Sequence, residues 1–168
     1  MTCAAPGVDY EADLATIRTR YVTATPRQRL SIIRQRLSDH HFGPNRLVTA
    51  VSAVEALARS LAMHTSTSTK TKAELSAAYA AYRHRKPEGL IREYLEAKGI
   101  SDPKVFFAED TWLLFGYAVK YRNLLAHECT YLGIAKFPTL IEACEEILAS
   151  LVKLGRVREP RALYLPKE

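Results

Sequence analysis

Residues 110–128 read DTWLLFGYAVKYRNLLAHE and contain the feature that decides the fold of this chain. Aromatic and aliphatic residues occur nearly all round the helix that this segment would form between about Asp110 and Ala126. Such a distribution is typical of a helix that is buried on every side. The sequence therefore predicts an all-α protein, a helical bundle with this long helix buried at its centre.

The polar residues of this helix fall close together. Lys120, Asn123 and His127 are spaced i, i+3, i+7 and so lie on one stripe. Arg122 lies roughly 100° around the helix from its neighbour Asn123. Because polar side chains in an apolar setting are costly unless they are paired or face a cleft, the stripe is a candidate functional site.

Arginine and histidine five positions apart occur three times, at Arg36–His41, Arg59–His64 and Arg122–His127. The first pair runs into a Phe-Gly-Pro breaker, and the second into a Ser/Thr-rich segment. Only the third has asparagine directly after the arginine, an aliphatic spacer and a long apolar helix ahead of it. The segment R-N-L-L-A-H is therefore the one singled out.

This segment resembles the signature of the HEPN family, whose members are small all-α proteins. The resemblance is strong over residues 113–131 and mainly architectural elsewhere. Many members are metal-independent ribonucleases of toxin–antitoxin or phage-defence systems, and they dimerise so that two motifs line one cleft. The resemblance implies a HEPN-like endoribonuclease that binds RNA as a homodimer, with a possible antitoxin or other protein partner and no cofactor.

The resemblance also implies roles for individual residues. It makes Arg122 and His127 catalytic, with Asn123 orienting the histidine or the phosphate. An acidic or polar residue on the helix beside the motif helix is common in the family, and Glu55 is the candidate for that place. Lys120 and Glu128 complete the supporting set.

These residue types suit RNA cleavage without a metal. The 2′-hydroxyl of the substrate attacks the adjacent phosphorus, histidine moves a proton near neutral pH, and arginine binds phosphate oxygens through its planar fork. One departure concerns regulation. Members paired with nucleotidyltransferase antitoxins carry tyrosine two residues after the histidine, where this chain has Cys129, and this puts tyrosine modification in doubt.

Other interpretations stay open. His127 could be a helix-end histidine favoured by the helix dipole, and Glu55 could form only a surface i, i+4 pair with Arg59. The main alternative function is a non-catalytic HEPN-like module that binds a nucleotide, RNA or protein. A basic helix-turn-helix protein that binds DNA and a reactive thiol at Cys129 are more distant.

A second basic feature is the run Arg83-His84-Arg85-Lys86, next to Tyr79 and Tyr82. Arg83, Arg85 and Lys86 are candidate RNA-binding residues, with the tyrosines available to stack a base. A solvated helix end is the alternative. The competing basic patch lies nearer the N-terminus, at Arg27, Arg29 and Arg34.

Length and composition set the remaining bounds. The chain has 168 residues and a net charge of +6, which fits one domain over 1–168 and a polyanionic partner. The segments 1–8 and 156–168 are expected to be flexible or extended tails. The chain shows no secretory signal, no membrane span and no metal-ligand spacing. Three scattered cysteines favour a reducing cytoplasm.

Apolar periodicity and breakers predict the other helices at about 9–24, 26–40, 45–63, 71–85, 88–98 and 139–154. Thr25 is expected to cap the second helix and Gly99 to end the fifth. Residues 64–69 read as a polar loop. Thr139 and Glu142 are spaced as a capping box for the last helix.

Overall fold

The computed structural model describes residues 9–38, 44–128 and 134–160. Within these ranges it contains eight α-helices, one short 3₁₀ turn and no strand, so the all-α prediction is confirmed. The helices are α1 Tyr10–Thr23, α2 Pro26–Ser38, α3 Pro44–Ser66, α4 Lys72–Tyr82, α5 Pro87–Ala97, α6 Pro103–Phe107, α7 Glu109–Glu128 and α8 Phe137–Leu154, with the 3₁₀ turn at Ile134–Lys136.

The central helix of the bundle is α3. It contacts α2, α4, α5, α7 and α8, and Leu47, Val51, Val54 and Leu57 on it are fully buried. Its many alanines let neighbouring helices approach closely on several sides. Because α3 is flanked by five helices, it organises the single apolar core of the described residues.

The prediction that the motif helix is buried all round is wrong. Helix α7 is long, but it contacts only α3, α6 and α8 to a substantial extent. It therefore buries one face, formed by Trp112, Phe115, Ala118 and Val119. The opposite face leaves large apolar side chains in solvent, with Leu113 56%, Tyr117 45% and Leu124 42% exposed.

The predicted start of the last helix is also wrong. Helix α8 begins at Phe137, and Lys136 at the capping position makes no side-chain cap. Proline suits the first helical turn because its φ is preset and its missing N–H is not needed there. With Pro138 in that turn, Thr139 is already helical, so the capping box with Glu142 does not form. On α8, Cys144, Leu148 and Leu151 are buried and Ile141 is partly buried, so this face of the helix packs into the core.

Helix α3 continues to Ser66, three residues beyond its predicted end. Hydroxyls of the Ser/Thr-rich segment donate to carbonyls one turn back, as Thr65 does to Leu61 O at 2.8 Å and Thr67 to Met63 O at 2.9 Å. These bonds accommodate polar residues at the helix end. Helix α4, in contrast, ends at Tyr82 rather than near 85, and residues 83–86 form the turn that leads into α5.

Two predicted helix ends are confirmed. The Gln28 amide donates to Thr25 Oγ1 at 3.3 Å, and the Thr25 amide donates to Gln28 Oε1 at 2.8 Å, which caps α2 reciprocally. Gly99, with φ +77°, follows α5 in the left-handed conformation that glycine adopts readily.

The chain beyond α8 has no regular element over residues 156–160. Glu159 in this segment forms a 2.6 Å ion pair with Arg34 of α2, so the tail is fastened at that point. The predicted tail residues 1–8 and 161–168 lie outside the described residues. Among the helices described, none is long and apolar enough to cross a membrane.

Candidate functional site

A cleft of about 340 Å³ lies between the motif helix α7, the central helix α3 and the turn that joins α4 to α5. It brings together most of the site residues that the sequence predicts, although these come from three separate parts of the chain. The residues that line it are Glu55, Arg83, His84, Arg85, Lys86, Pro87, Glu88, Val119, Lys120, Arg122 and Asn123. Basic side chains outnumber acidic ones in this set, so the cleft suits an anionic ligand.

Glu55 connects the motif arginine to the central helix. Its Oε2 accepts from Arg122 Nη2 at 3.2 Å, and its Oε1 accepts from Arg59 Nη2 at 2.5 Å. Side-chain exposures of 20% for Glu55, 20% for Arg122 and 17% for Arg59 leave the three groups partly solvated. One carboxylate is therefore shared by two guanidinium groups, which leaves an excess positive charge at the cleft wall.

Hydrogen-bonding capacity remains at this site. Arg122 Nε and Glu88 Oε2 are buried, and neither has a hydrogen-bond partner among the described residues. Buried polar atoms are normally paired, so an unpaired donor and an unpaired acceptor in one cleft mark a place where a polar ligand can bond. The guanidinium of Arg122 can keep its bond to Glu55 and still present Nε to such a ligand.

The basic cluster Arg83–Lys86 lies at the mouth of the cleft. Arg83 and Lys86 are exposed. Arg85 pairs with Glu93 and lies over the Tyr82 ring, with its guanidinium carbon 5.0 Å from the ring centroid. Arg83 and Lys86 are therefore the members with the most freedom to meet a phosphate.

The expectation that Tyr79 and Tyr82 stack a base beside this cluster is wrong, because neither ring lines the cleft. Tyr82 is buried, and its hydroxyl donates to Glu93 Oε1 at 2.8 Å. Burial is the main cause that raises the pKa of Tyr82. Tyr79 lines a different cavity together with Tyr21.

His127 and Glu128 do not line the cleft. Both are exposed at the end of α7. Five residues along an α-helix correspond to about 140° of rotation and about 7.5 Å of rise, so Arg122 and His127 point in different directions. Asn123 lines the cleft and is only about 40° from His127 around the helix, which makes it the link between the two.

Sequence reasoning missed three residues of this site. His84 lies within the basic run, but only Arg83, Arg85 and Lys86 were singled out as binding residues. Glu88 contributes the unpaired oxygen, and Glu93 holds Arg85. The available signal was the pair of acidic residues within α5, five positions apart, the first of which follows the four-residue basic run after a single proline.

The other candidate positions fall elsewhere. Arg59 and His64 are both on α3, where His64 Nδ1 lies 2.9 Å from Ser60 O. His41 and Cys129 lie outside the described residues. Cys144 is a buried core residue, and burial is the main cause that raises the pKa of its thiol to about 12. In the described ranges no group of three His, Cys, Asp or Glu side chains is placed to hold a metal ion.

No protein-family model matches this chain, and neither a curated protein nor a solved structure matches it. The likeness to the HEPN signature therefore rests on the motif residues alone.

Proposed function

We propose that this protein is a metal-independent endoribonuclease of the HEPN type that acts as a cytoplasmic homodimer, in a toxin or phage-defence role. The observation that carries the proposal is the cleft in which the motif residues Arg122 and Asn123 meet the basic cluster Arg83–Lys86. The basic cluster would bind the phosphate backbone, and Arg122 and Asn123 would act on one phosphate. Both sets of residues line the same cleft.

The proposed reaction requires only proton transfer and charge stabilisation from the protein. The RNA 2′-oxygen forms a bond to the adjacent phosphorus, its proton leaves to a base, and the bond from phosphorus to the 5′-oxygen breaks. The 5′-oxygen receives a proton, so the products are a 2′,3′-cyclic phosphate and a 5′-hydroxyl. His127 transfers one of these protons, and Arg122 stabilises the extra negative charge on phosphorus oxygens.

The Arg122–Glu55 ion pair defines the resting state of this arginine. The carboxylate holds the guanidinium on α7 toward α3, while Nε stays unpaired. A phosphate entering the cleft binds Nε first and then competes with Glu55 for the remaining donors. Arginine forms bidentate bonds with phosphate oxygens, so this exchange keeps the guanidinium paired throughout.

A second copy of the chain completes the site. The exposed stripe of α7 carries Leu113, Tyr117 and Leu124, with His127 at its end. This stripe is on the side of the helix opposite Arg122, since nine residues correspond to about 180°. A twofold contact along the stripe, with the two α7 helices parallel, buries these apolar side chains and brings the two His127 side chains to one interface. The dimer then supplies two histidines, one for each proton transfer.

A non-catalytic binding module is the second candidate. It is favoured by one observation, that His127 does not line the cleft to which Arg122 belongs. In that case the cleft would hold an RNA, a nucleotide or a protein through the same basic side chains, without bond cleavage.

Cleavage assays separate the two candidates. Purified protein in excess EDTA is expected to cut labelled single-stranded RNA and to leave DNA of the same sequence intact, because DNA lacks the 2′-hydroxyl. Arg122→Ala should abolish cutting. Arg46→Ala is the matched control, since the Arg46 side chain is buried to nearly the same extent and is paired with Glu145 at 3.1 Å, but lies away from the cleft. RNA that binds yet stays intact across many sequences favours the binding module.

A further inference from the structure

A second cavity, of about 270 Å³, is lined by other residues of α3 and shares no lining residue with the motif cleft. It is enclosed by the end of α1, by α2, by the second half of α3 and by α4. The described residues that line it are Tyr21, Val22, Ala24, Arg29, Ala56, Arg59, Ser60, Met63, His64 and Tyr79. None of these is acidic, and two are arginines.

The surroundings of the two arginines do not fully offset their positive charges. Arg29 donates to the backbone carbonyl of Tyr21 and lies over its ring, with the guanidinium carbon 5.5 Å from the centroid. Burial, and after it the charge of Arg59, lowers the pKa of Arg29. Arg59 shares its one described carboxylate partner, Glu55, with Arg122. Two cations that disfavour each other next to an open cavity are stabilised by an anion between them.

The cavity wall also contains unpaired polar atoms. Arg59 Nε and Ser60 Oγ are buried, and neither has a hydrogen-bond partner among the described residues. Ser60 is only 5% exposed, so solvent does not satisfy its hydroxyl. Since unpaired buried polar groups are rare in folded proteins, two of them in adjacent residues of one cavity indicate a missing polar ligand.

An aromatic wall completes the cavity. The Tyr21 and Tyr79 rings meet edge to face at 5.4 Å, and their hydroxyls are 3.2 Å apart. His64 is held by the Ser60 carbonyl, and burial is the main cause that lowers its pKa. Because this pKa is lowered, the imidazole of His64 is neutral at and above the pH at which an ordinary histidine loses its proton. His64 therefore adds a planar ring to the cavity and not a third positive charge. The cavity thus combines cationic forks with planar rings.

We propose that this cavity binds a small phosphomonoester that carries a planar ring, of the nucleoside monophosphate class. Its phosphate lies between Arg29 and Arg59 and accepts from Arg59 Nε and Ser60 Oγ, and its ring packs on the tyrosine wall. Arginine suits a phosphate because its fork matches two oxygens at once. The volume of the cavity restricts the ligand to a single nucleotide or a smaller molecule.

Calorimetric titration of the full chain with a nucleoside monophosphate, and separately with inorganic phosphate, tests the assignment. The nucleotide is expected to bind more tightly than phosphate, because only it reaches the aromatic wall. Ser60→Ala should weaken binding of both by about tenfold, the loss expected for one hydrogen bond to a charged group. Arg29→Gln should weaken both by at least that factor. Arg46→Gln, which removes a paired arginine outside the cavity, should leave both affinities unchanged.

Ser60→Ala keeps the test decisive if Arg29→Gln fails to fold. It removes a hydroxyl that has no partner within the described part of the chain, so it should not destabilise the protein without ligand. Full affinity in Ser60→Ala overturns the assignment, as does the absence of nucleotide binding by the wild type. If phosphate binds as tightly as the nucleotide, the proposed contact between the ligand ring and the tyrosine wall is overturned. Because the two cavities share no lining residue, none of these results depends on RNA cleavage.

Discussion

Glu55 Oε2 lies 3.2 Å from Arg122 Nη2, so the arginine of the sequence motif is held by a carboxylate of the central helix. The other oxygen of the same carboxylate binds Arg59. Helix α7 is thereby fixed to α3 at the position where the proposed chemistry takes place. The ion pair has both a structural and a functional consequence.

The structural consequence is testable with Glu55→Gln. Two arginines that are each about four-fifths buried lose their shared carboxylate, so the free energy of unfolding is expected to fall by about 1–3 kcal/mol. Urea denaturation measures this change. Glu145→Gln removes the exposed partner of Arg46 and should lower it by less than about 1 kcal/mol. Equal losses in the two variants would show that Glu55 is an ordinary surface residue.

The basic cluster makes a prediction about salt. Replacing Arg83 and Lys86 by alanine removes two exposed cations at the mouth of the cleft. The slope of log affinity against log salt concentration for single-stranded RNA should become shallower by about 1.4. Fluorescence anisotropy over a salt series gives the slope. Arg20→Ala with Arg27→Ala, two exposed arginines away from the cleft, is the control and should leave the slope unchanged. A shallower slope only in the control variant would indicate that RNA binds to the N-terminal helices and not at the cleft.

The exposed stripe of α7 makes a prediction about assembly. The wild type is expected to have a mass in solution about twice 18.9 kDa. Leu113→Asp with Leu124→Asp should give a folded monomer that has lost RNA cleavage, because burying two carboxylates at an interface is unfavourable. Light scattering and circular dichroism check mass and fold. Val105→Asp is the control, since Val105 is 81% exposed but lies on α6. A fully active monomer would contradict the shared site.

Mixed dimers sharpen the same test. An Arg122→Ala chain and a His127→Ala chain are each expected to be inactive alone. When they are mixed and allowed to exchange, some dimers contain one intact arginine and one intact histidine. These should recover only part of the cleavage, because one of the two proton transfers then lacks its histidine. Cleavage is assayed after mixing at equal concentrations. No recovery, with exchange shown by differently tagged chains, would place both groups of a working site on one chain.

Cys144 makes a prediction about alkaline pH. Its thiol has a pKa of about 12 in the folded chain against an ordinary value of 9.0, with burial as the main cause. Between these values the unfolded chain loses the proton while the folded chain keeps it, so stability falls as pH rises. Urea unfolding at pH 8 and pH 10 should show a larger loss for the wild type than for Cys144→Ala. Equal losses would mean that the thiol is solvated in the folded chain.

The sequence was sufficient for the helices whose ends are set by local chemistry. Thr25 caps α2 through Gln28, and Gly99 adopts the left-handed conformation after α5, as expected from residue type alone. It was insufficient where a neighbouring residue changed the outcome. With Pro138 in its first turn, α8 begins before Thr139. Helix α3 extends further than predicted, where the Thr65 hydroxyl donates to the Leu61 carbonyl.

The burial of the motif helix could not be predicted, because the periodicity of apolar residues does not tell how many other helices pack around a helix. An apolar helix and a helix with an exposed apolar stripe have the same sequence pattern, and only the packing of α7 on one side of α3 separates them. The grouping of Arg83–Lys86 with Arg122 could not be predicted either, since it depends on where the turn between α4 and α5 lies relative to α7. The pairing of Glu55 with Arg122 depends on the packing of α7 against α3.

The most direct test of the proposed ribonuclease is the chemistry of the RNA ends. Wild-type protein in EDTA should yield fragments with 2′,3′-cyclic phosphate and 5′-hydroxyl ends, identified by mass spectrometry of a defined single-stranded RNA. His127→Ala should yield none. His41→Ala, which removes the histidine of another arginine–histidine pair with the same spacing, should yield the wild-type products. Undiminished cyclic-phosphate products from His127→Ala would contradict the assignment of His127 and with it the proposed site.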